Sequence, residues 1–216
     1  GYELSKETII NLSDEDLNYQ LNILQGTIKA SNIIPKHSIE LNIIKENFPH
    51  NFDTDIDKID EINFATQIGD DLLDRKISGS DYNWLTMSLN SKSGRYQFGT
   101  LGYNLYDGLS GIALFYSALF KATSNNKYAD IVTNILKPII SAYQLGNKSE
   151  IHMLNKYMGL GICEGVGSII YSLCLISEYT TNQELISIAS EISFSLTEEL
   201  ITSDEQLDII SGCSGL

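Results

Sequence analysis

Leu105-Tyr106-Asp107-Gly108-Leu109-Ser110-Gly111-Ile112-Ala113-Leu114-Phe115 is the stretch on which the reading of this chain turns. Two glycines frame a tight bend, and the run that follows is apolar, so the bend opens a buried helix. The arrangement returns at Gly165-Val166-Gly167 and at Gly212-Cys213-Ser214-Gly215. Taken from the last glycine of each bend (Gly111, Gly167, Gly215), the period is roughly fifty residues, which suits one helical hairpin per repeat. The third bend stops at Leu216, before the helix it should open, and Gly1 stands where an initiator Met is expected. Both ends therefore read as those of a fragment.

Each of the first two bends leads into a pair of helical patterns. Ile112, Leu114, Phe115, Ala118 and Leu119 form one apolar run, and Ile131, Ile135, Leu136 and Ile139 form the next, split by Ser124-Asn125-Asn126. Ser168 to Ile176 and Glu184 to Leu200 repeat the plan around Thr180-Thr181-Asn182. In both pairs the first helix is apolar nearly all round and the second is amphipathic, which places the first inside and the second outside. The expected fold is all-α, with helical hairpin repeats forming part of an α/α toroid, an incomplete barrel. A straight solenoid of hairpins fits the same pattern.

In a ring, the glycine bends gather at one end. Glycine lets backbone approach backbone without a Cβ in the way, and amides exposed at helix starts favour an anion or developing negative charge. The simpler reading, that the glycines only let hairpins nest, suffices for each bend alone. The case for function rests on the neighbouring acids Asp107 and Asp208, and the candidate substrate-binding set is Asp107, Gly108, Gly111, Gly212 and Gly215. Asp107 also fits a helix cap, the commoner use of an acid at that place. Glu164 lies in a similar bend and fits either role.

Upstream, Ser13-Asp14-Glu15-Asp16 caps a helix from about Asp14 to Ala30, with Leu17, Leu21, Leu24 and Ile28 at helical spacing. Ser31 to Asp53, containing Pro35, Pro49, His37 and His50, reads as a connector with a short helix or strand around Ile39 to Ile44 and exposed, non-catalytic histidines. Ile62, Ala65, Ile68, Leu72 and Leu73 restart a helix that Ser78-Gly79-Ser80 ends. Trp84, with Leu85 and Met87, anchors the approach to the first repeat. The division expected is a helical linker over 1–77 and a repeat domain over 78–216. Tyr106, Tyr116 and Tyr171 are expected between helices with satisfied hydroxyls, and Cys174 in the core.

The formal charge of −14 sets 14 basic against 28 acidic residues, with no basic cluster to meet a phosphate backbone. Nucleic acid is not an expected partner. The acids from Asp53 to Asp74 read as a solvated helix face with its linker, the alternative being a peptide-docking surface. Three cysteines without tight pairing, no secretory signal and no membrane-length apolar run lead to the expectation of a reduced, cytoplasmic compartment.

The stretch around Gly108 to Gly111 resembles the opening repeat of the lanthionine synthetase C-like cyclases, in particular the cyclase half of class II lanthipeptide synthetases. Gly165-Val166-Gly167-Ser168-Ile169-Ile170-Tyr171-Ser172-Leu173 is similar to their second repeat, and Leu207-Asp208-Ile209-Ile210-Ser211-Gly212-Cys213-Ser214-Gly215 to their third. Leu12-Ser13-Asp14-Glu15-Asp16-Leu17, followed by Gln20-Leu21, is similar to the region where the dehydratase half hands over to the cyclase. The resemblance implies a bifunctional enzyme that dehydrates Ser and Thr in a ribosomal precursor peptide and closes thioether rings by adding Cys to the dehydro-residues. It also implies zinc, held by two Cys and one His, to activate the thiol, with a further His and an Asp managing protons. Asp208 matches that Asp and is the candidate catalytic residue.

The family's zinc ligands and catalytic His lie in later repeats, and no position here matches them. The metal is therefore expected in the full-length parent with no ligand in this chain, and the isolated fragment is expected to be inactive. Cys163, Cys213 and His152 invite a Cys/Cys/His reading, but their spacing holds no tight pair. Further expectations are association with a peptide exporter at the membrane and self-association through uncovered apolar helices. Two rivals stand beside the cyclase: an α/α-barrel glycosidase, for which Asp107 and Asp208 are the available carboxylates, and a non-enzymatic helical-repeat module that binds peptides.

Overall fold

The structure, a computed structural model, describes residues 6, 10–32, 60–77, 81–90 and 94–216. The connector around Pro35, His37, Ile39 to Ile44, Pro49 and His50, the acids before Asp60 and the stop at Ser78-Gly79-Ser80 lie outside them. Among the described residues the helices are α1 (Asp14–Asn32), α2 (Glu61–Asp74), α3 (Leu109–Thr123), α4 (Asn126–Leu145), α5 (Lys148–Met158), α6 (Val166–Thr180), α7 (Glu184–Phe194) and α8 (Glu198–Thr202). A β-hairpin of β1 (Leu85–Asn90) and β2 (Arg95–Thr100) separates α2 from α3, and a 3-10 turn, Cys213–Gly215, follows α8.

The expected inside–outside plan is present. α3 and α6 pack side by side, α4 backs α3, and α7 backs α6, which makes an arc of an α/α toroid. α4 buries one stripe, Tyr128, Ile131, Val132, Ile135, Leu136, Ile139 and Tyr143, and α7 buries Leu185, Ile188, Ala189 and Ile192. Buried residues occur round more of α3 and α6, including Ser110, Ser117, Ser168, Ser172 and Ser177. Their hydroxyls need partners in an apolar setting, and three of them donate to carbonyls within their own helix or its cap: Ser117 to Leu114, Ser168 to Gly165 and Ser172 to Ser168.

The repeat extends to detail. Ser124 and Thr181 end α3 and α6 in the left-handed region, both at φ 56°, a conformation uncommon for residues other than glycine. The next residue in each case is an asparagine whose side chain accepts the N–H two positions on, Asn125 from Lys127 and Asn182 from Glu184. Each repeat also has a third, short helix. α5 begins at a reciprocal cap between Asn147 and Glu150, and α8 begins at Thr197, which accepts from Leu200 N–H. The second outer helix therefore ends at Phe194 instead of running to Leu200, because Thr197 is extended and starts a new helix. Asn155 of α5, fully buried, accepts from the Tyr143 hydroxyl at 3.0 Å and donates to Ser195 Oγ at 2.9 Å, joining three segments through one amide.

The segment before the repeats is bound to the first of them. Gly69 of α2 lies against Tyr116 and Leu119 of α3, and Tyr116 donates its hydroxyl to the Gly69 carbonyl. Trp84 is buried and donates Nε1–H to Leu72 O at 2.6 Å. Pro138 lies inside α4 and has no N–H to give to Asn134 O; that carbonyl takes the Tyr82 N–H, and Lys137 pairs with Asp81 alongside. Met87, by contrast, is exposed, as are Ser88 and Leu89 after it. The hairpin was not among the expectations. Its sequence alternates Leu85, Met87, Leu89 with Thr86, Ser88, Asn90, the period-two pattern of a strand. α1 packs on β2, where Gly26 meets the Phe98 ring, and leaves Leu17, Leu21, Leu24 and Ile28 exposed.

Three other expectations are corrected. Tyr106 and Tyr171 are exposed, and only Tyr116 of the three tyrosines is buried with its hydroxyl satisfied. Cys174 is exposed as well. Its counterpart in the first repeat, Ser117, is fully buried. The two stand at the same distance from their cap glycines on inner helices, but α3 has α6 beside it and the described residues place no further inner helix beside α6.

Candidate functional site

The three bends have one design, and its register is set by the glycine that caps each helix: Gly108, Gly165 and Gly212, all extended, with φ −133°, −98° and −105°. On that register Gly111, Ser168 and Gly215 are equivalent, while Gly167 matches Ser110 and Ser214. Counting from the last glycine therefore misaligns the middle copy by one residue.

Each bend closes on itself through contacts seven residues apart. Leu109 N–H reaches Gly102 O at 2.9 Å, Val166 N–H reaches Gly159 O at 2.9 Å, and Gly167 N–H reaches Leu160 O at 3.2 Å. The serine hydroxyls repeat it, Ser110 to Tyr103 O at 2.6 Å and Ser214 to Leu207 O at 2.7 Å. Glycine is required here by space. A Cβ on Gly165 would meet the backbone of Leu160 and Gly161, and one on Gly108 would meet that of Asn104. These closures also correct the expectation of outward amides, since the first N–H groups of α3 and α6 are already taken by the bends. The cap glycines and Gly215 are buried and serve packing.

The bends are bonded to one another in a row. Leu105 and Tyr106 N–H both donate to Cys163 O, at 3.1 and 3.0 Å. From the second bend, Gly161 N–H donates to Ser211 O, Ile162 N–H to Ile209 O, and Cys163 and Glu164 N–H to Ile210 O, at 3.0 to 3.2 Å. The three bends thus form one continuous rim at one end of the helices. Gly161 is the point of closest approach, where an added Cβ would run into Ile210 and Ser211.

The acids sit on this rim. Asp107, Glu164 and Ser211 occupy the same place, just before the cap glycine, and the first two are exposed. Asp107 is not the cap of α3: Gly108 is, without a side-chain bond, and among the described residues no donor holds the Asp107 carboxylate. Asp208 is exposed, and its Oδ1 accepts Ser211 N–H at 2.8 Å. Ser211 Oγ donates to Glu164 Oε2 at 2.9 Å, which links the second bend to the third by side chains as well as backbone. Sequence reasoning left Glu164 unassigned; its place before a cap glycine was the available signal.

Asp204 was also missed. It accepts Cys213 N–H at 2.7 Å and Gln206 N–H at 3.3 Å. The first of these bonds holds its carboxyl below the ordinary range. The Cys213 thiol is pushed upward, by desolvation first and then by the Asp204 carboxylate, so it is a poor thiolate at neutral pH.

Residues 99–216 match the family model described as lanthionine synthetase C-like protein. The match covers more than half of the chain, and the chain belongs to the lanthionine synthetase C-like family. No curated protein matches it. Membership disfavours the glycosidase and the non-enzymatic module and points to a family of cyclases. Among the described residues no three His, Cys, Asp or Glu side chains converge as metal ligands. Cys163 lies two residues before a cap glycine and Cys213 one after, so their bends correspond but their positions do not. No helix among the described residues is long and apolar enough to cross a membrane.

Proposed function

We propose that this chain carries part of the ring-closing machinery of a class II lanthipeptide synthetase. In that reaction a Cys thiol of a precursor peptide adds to a dehydrated Ser or Thr. The observation that supports it best is the placement of Asp208, exposed on the rim of stacked bends in a chain of the cyclase family. In the reaction the sulfur–carbon bond forms at the β-carbon, the C=C π bond breaks, and the enolate takes a proton at the α-carbon. The thiol proton is the balancing one, and Asp208 is the group assigned to exchange it.

The same proposal includes dehydration by a partner domain in the intact protein, a ribosomal precursor peptide as substrate, action in the cytoplasm beside an exporter, and zinc whose ligands lie outside the described residues. Asp107 stands on the same rim with an unheld carboxylate, and its assigned role is to receive backbone amides of the peptide.

Ring closure is an isomerisation, so it removes a thiol without changing mass. The intact protein, incubated with a dehydrated Cys-containing peptide, is expected to abolish alkylation of that Cys at constant peptide mass. Persistence of the alkylatable thiol, with release of sugar from a glycoside instead, would overturn the reading.

A further inference from the structure

The third bend contains a donor that is turned away from the acid beside it. Ser211 gives its backbone N–H to Asp208 Oδ1, yet its hydroxyl goes to Glu164 Oε2 in the neighbouring bend. Elsewhere in the chain an acid and a residue three positions away use both donors. Asn63 gives its N–H to Asp60 Oδ1 at 3.2 Å and its side-chain amide to Asp60 Oδ2 at 2.6 Å. Ser13 gives both its N–H and its hydroxyl to Asp16, at 3.0 and 2.7 Å. The serine there precedes its acid and uses one oxygen, whereas Asn63 has the order of Asp208 and Ser211 and shows that a side-chain donor three residues after an acid has a natural place on its second oxygen.

At Asp208 that place is empty of protein donors among the described residues. Glu164 is in position to keep it so. Its backbone N–H is fixed to Ile210 O at 3.2 Å, and Ser211 is held from the other side by Gly161 N–H at 3.0 Å. The rotatable hydroxyl of Ser211 is the one group left to be redirected, and the carboxylate that receives it carries charge, which makes the bond a strong one.

Resting on the assignment of Asp208 above, we propose that Glu164 is a positioning residue: by holding the Ser211 hydroxyl it keeps that donor off Asp208 and leaves Oδ2 open to exchange a proton with the reacting peptide. Loss of Glu164 releases the hydroxyl to bind Asp208. The carboxylate then becomes a weaker base without moving, and turnover falls while peptide binding does not.

The test is a set of variants of the intact protein, assayed for ring closure on a dehydrated Cys-containing peptide. Glu164→Ala is expected to lower kcat about tenfold at unchanged KM, a part of the roughly 10²- to 10⁴-fold that general acid–base groups supply. Glu164→Asp, too short to hold the hydroxyl, should do the same and serves if the alanine variant folds poorly. Glu164→Gln, whose amide oxygen still accepts the hydroxyl, should retain the rate. Adding Ser211→Ala to Glu164→Ala should restore it to the rate of Ser211→Ala alone, since the misdirected donor is gone. A double variant as slow as Glu164→Ala, or a fully active Glu164→Asp, overturns the proposal while a damaged Asp208→Asn leaves the Asp208 reading standing. An undamaged Asp208→Asn removes that reading itself.

Discussion

Asn104 and Asp208 hold the same position in two bends, four residues before a cap glycine, and each accepts the N–H of the residue three places on. Asn104 Oδ1 takes Asp107 N–H at 3.0 Å, and Asp208 Oδ1 takes Ser211 N–H at 2.8 Å. The middle bend has Gly161 there, with no side chain. The scaffold thus needs no carboxylate at this position: an amide accepts the N–H in the first bend, and the second bend closes with no side chain there at all. The charge on Asp208 is surplus to the fold, which makes the residue available for chemistry.

The bond from Tyr116 to Gly69 ties α2 to the inner helix of the first repeat. Burial, and then the charge of Asp70, keep this phenol far above its ordinary pKa, so it remains a donor at every workable pH. Tyr116→Phe removes the donor and keeps the ring, and the Gly69 carbonyl retains its place in α2. The expected loss is about 1 kcal/mol, the net worth of one buried hydrogen bond, read as a lower midpoint in urea unfolding with unchanged slope. A midpoint equal to that of the unaltered protein would show that α2 is held by apolar packing alone.

How far the sequence carried this picture depended on the range of the signal. The inner and outer helices were legible because their apolar positions repeat over about three turns or more and most of their boundaries are glycine bends or Asn and Thr turns. The register of the bends was not. Gly167 imitates the last glycine of the other copies, and only the backbone closures show that Ser168 is the true equivalent of Gly111 and Gly215. α5 was missed although Asn147 and Glu150 spell a reciprocal cap, because its residues are mostly exposed and polar. The hairpin was missed because six residues of alternation are a short signal beside Trp84. At the site, Asp208 was found through resemblance, whereas the link from Glu164 to Ser211 joins residues far apart in sequence, and only the stacking of the bends brings them together.

Asp204 gives the third bend a dependence on acidity. Its carboxyl lies below the ordinary range because it accepts the Cys213 N–H. A folded pKa below the unfolded one means that the contact stabilises above the unfolded value and is lost as pH falls through the folded one. Protection of the Cys213 amide against hydrogen exchange should therefore hold from neutral pH down to about 4 and decline below that. Asp204→Asn should lack this step. A step well above pH 4 in the unaltered protein would show that another group controls the bend.

The central claim is that Asp208 serves ring closure at the shared rim, and the most direct measurement is the product of Asp208→Asn in the intact protein. The amide still accepts the Ser211 N–H, as Asn104 shows, so the bend should keep its form. The precursor peptide should then lose water to the normal extent by mass yet keep Cys thiols that react with an alkylating reagent. Ring closure at the unaltered rate, with all thiols consumed, would contradict the account.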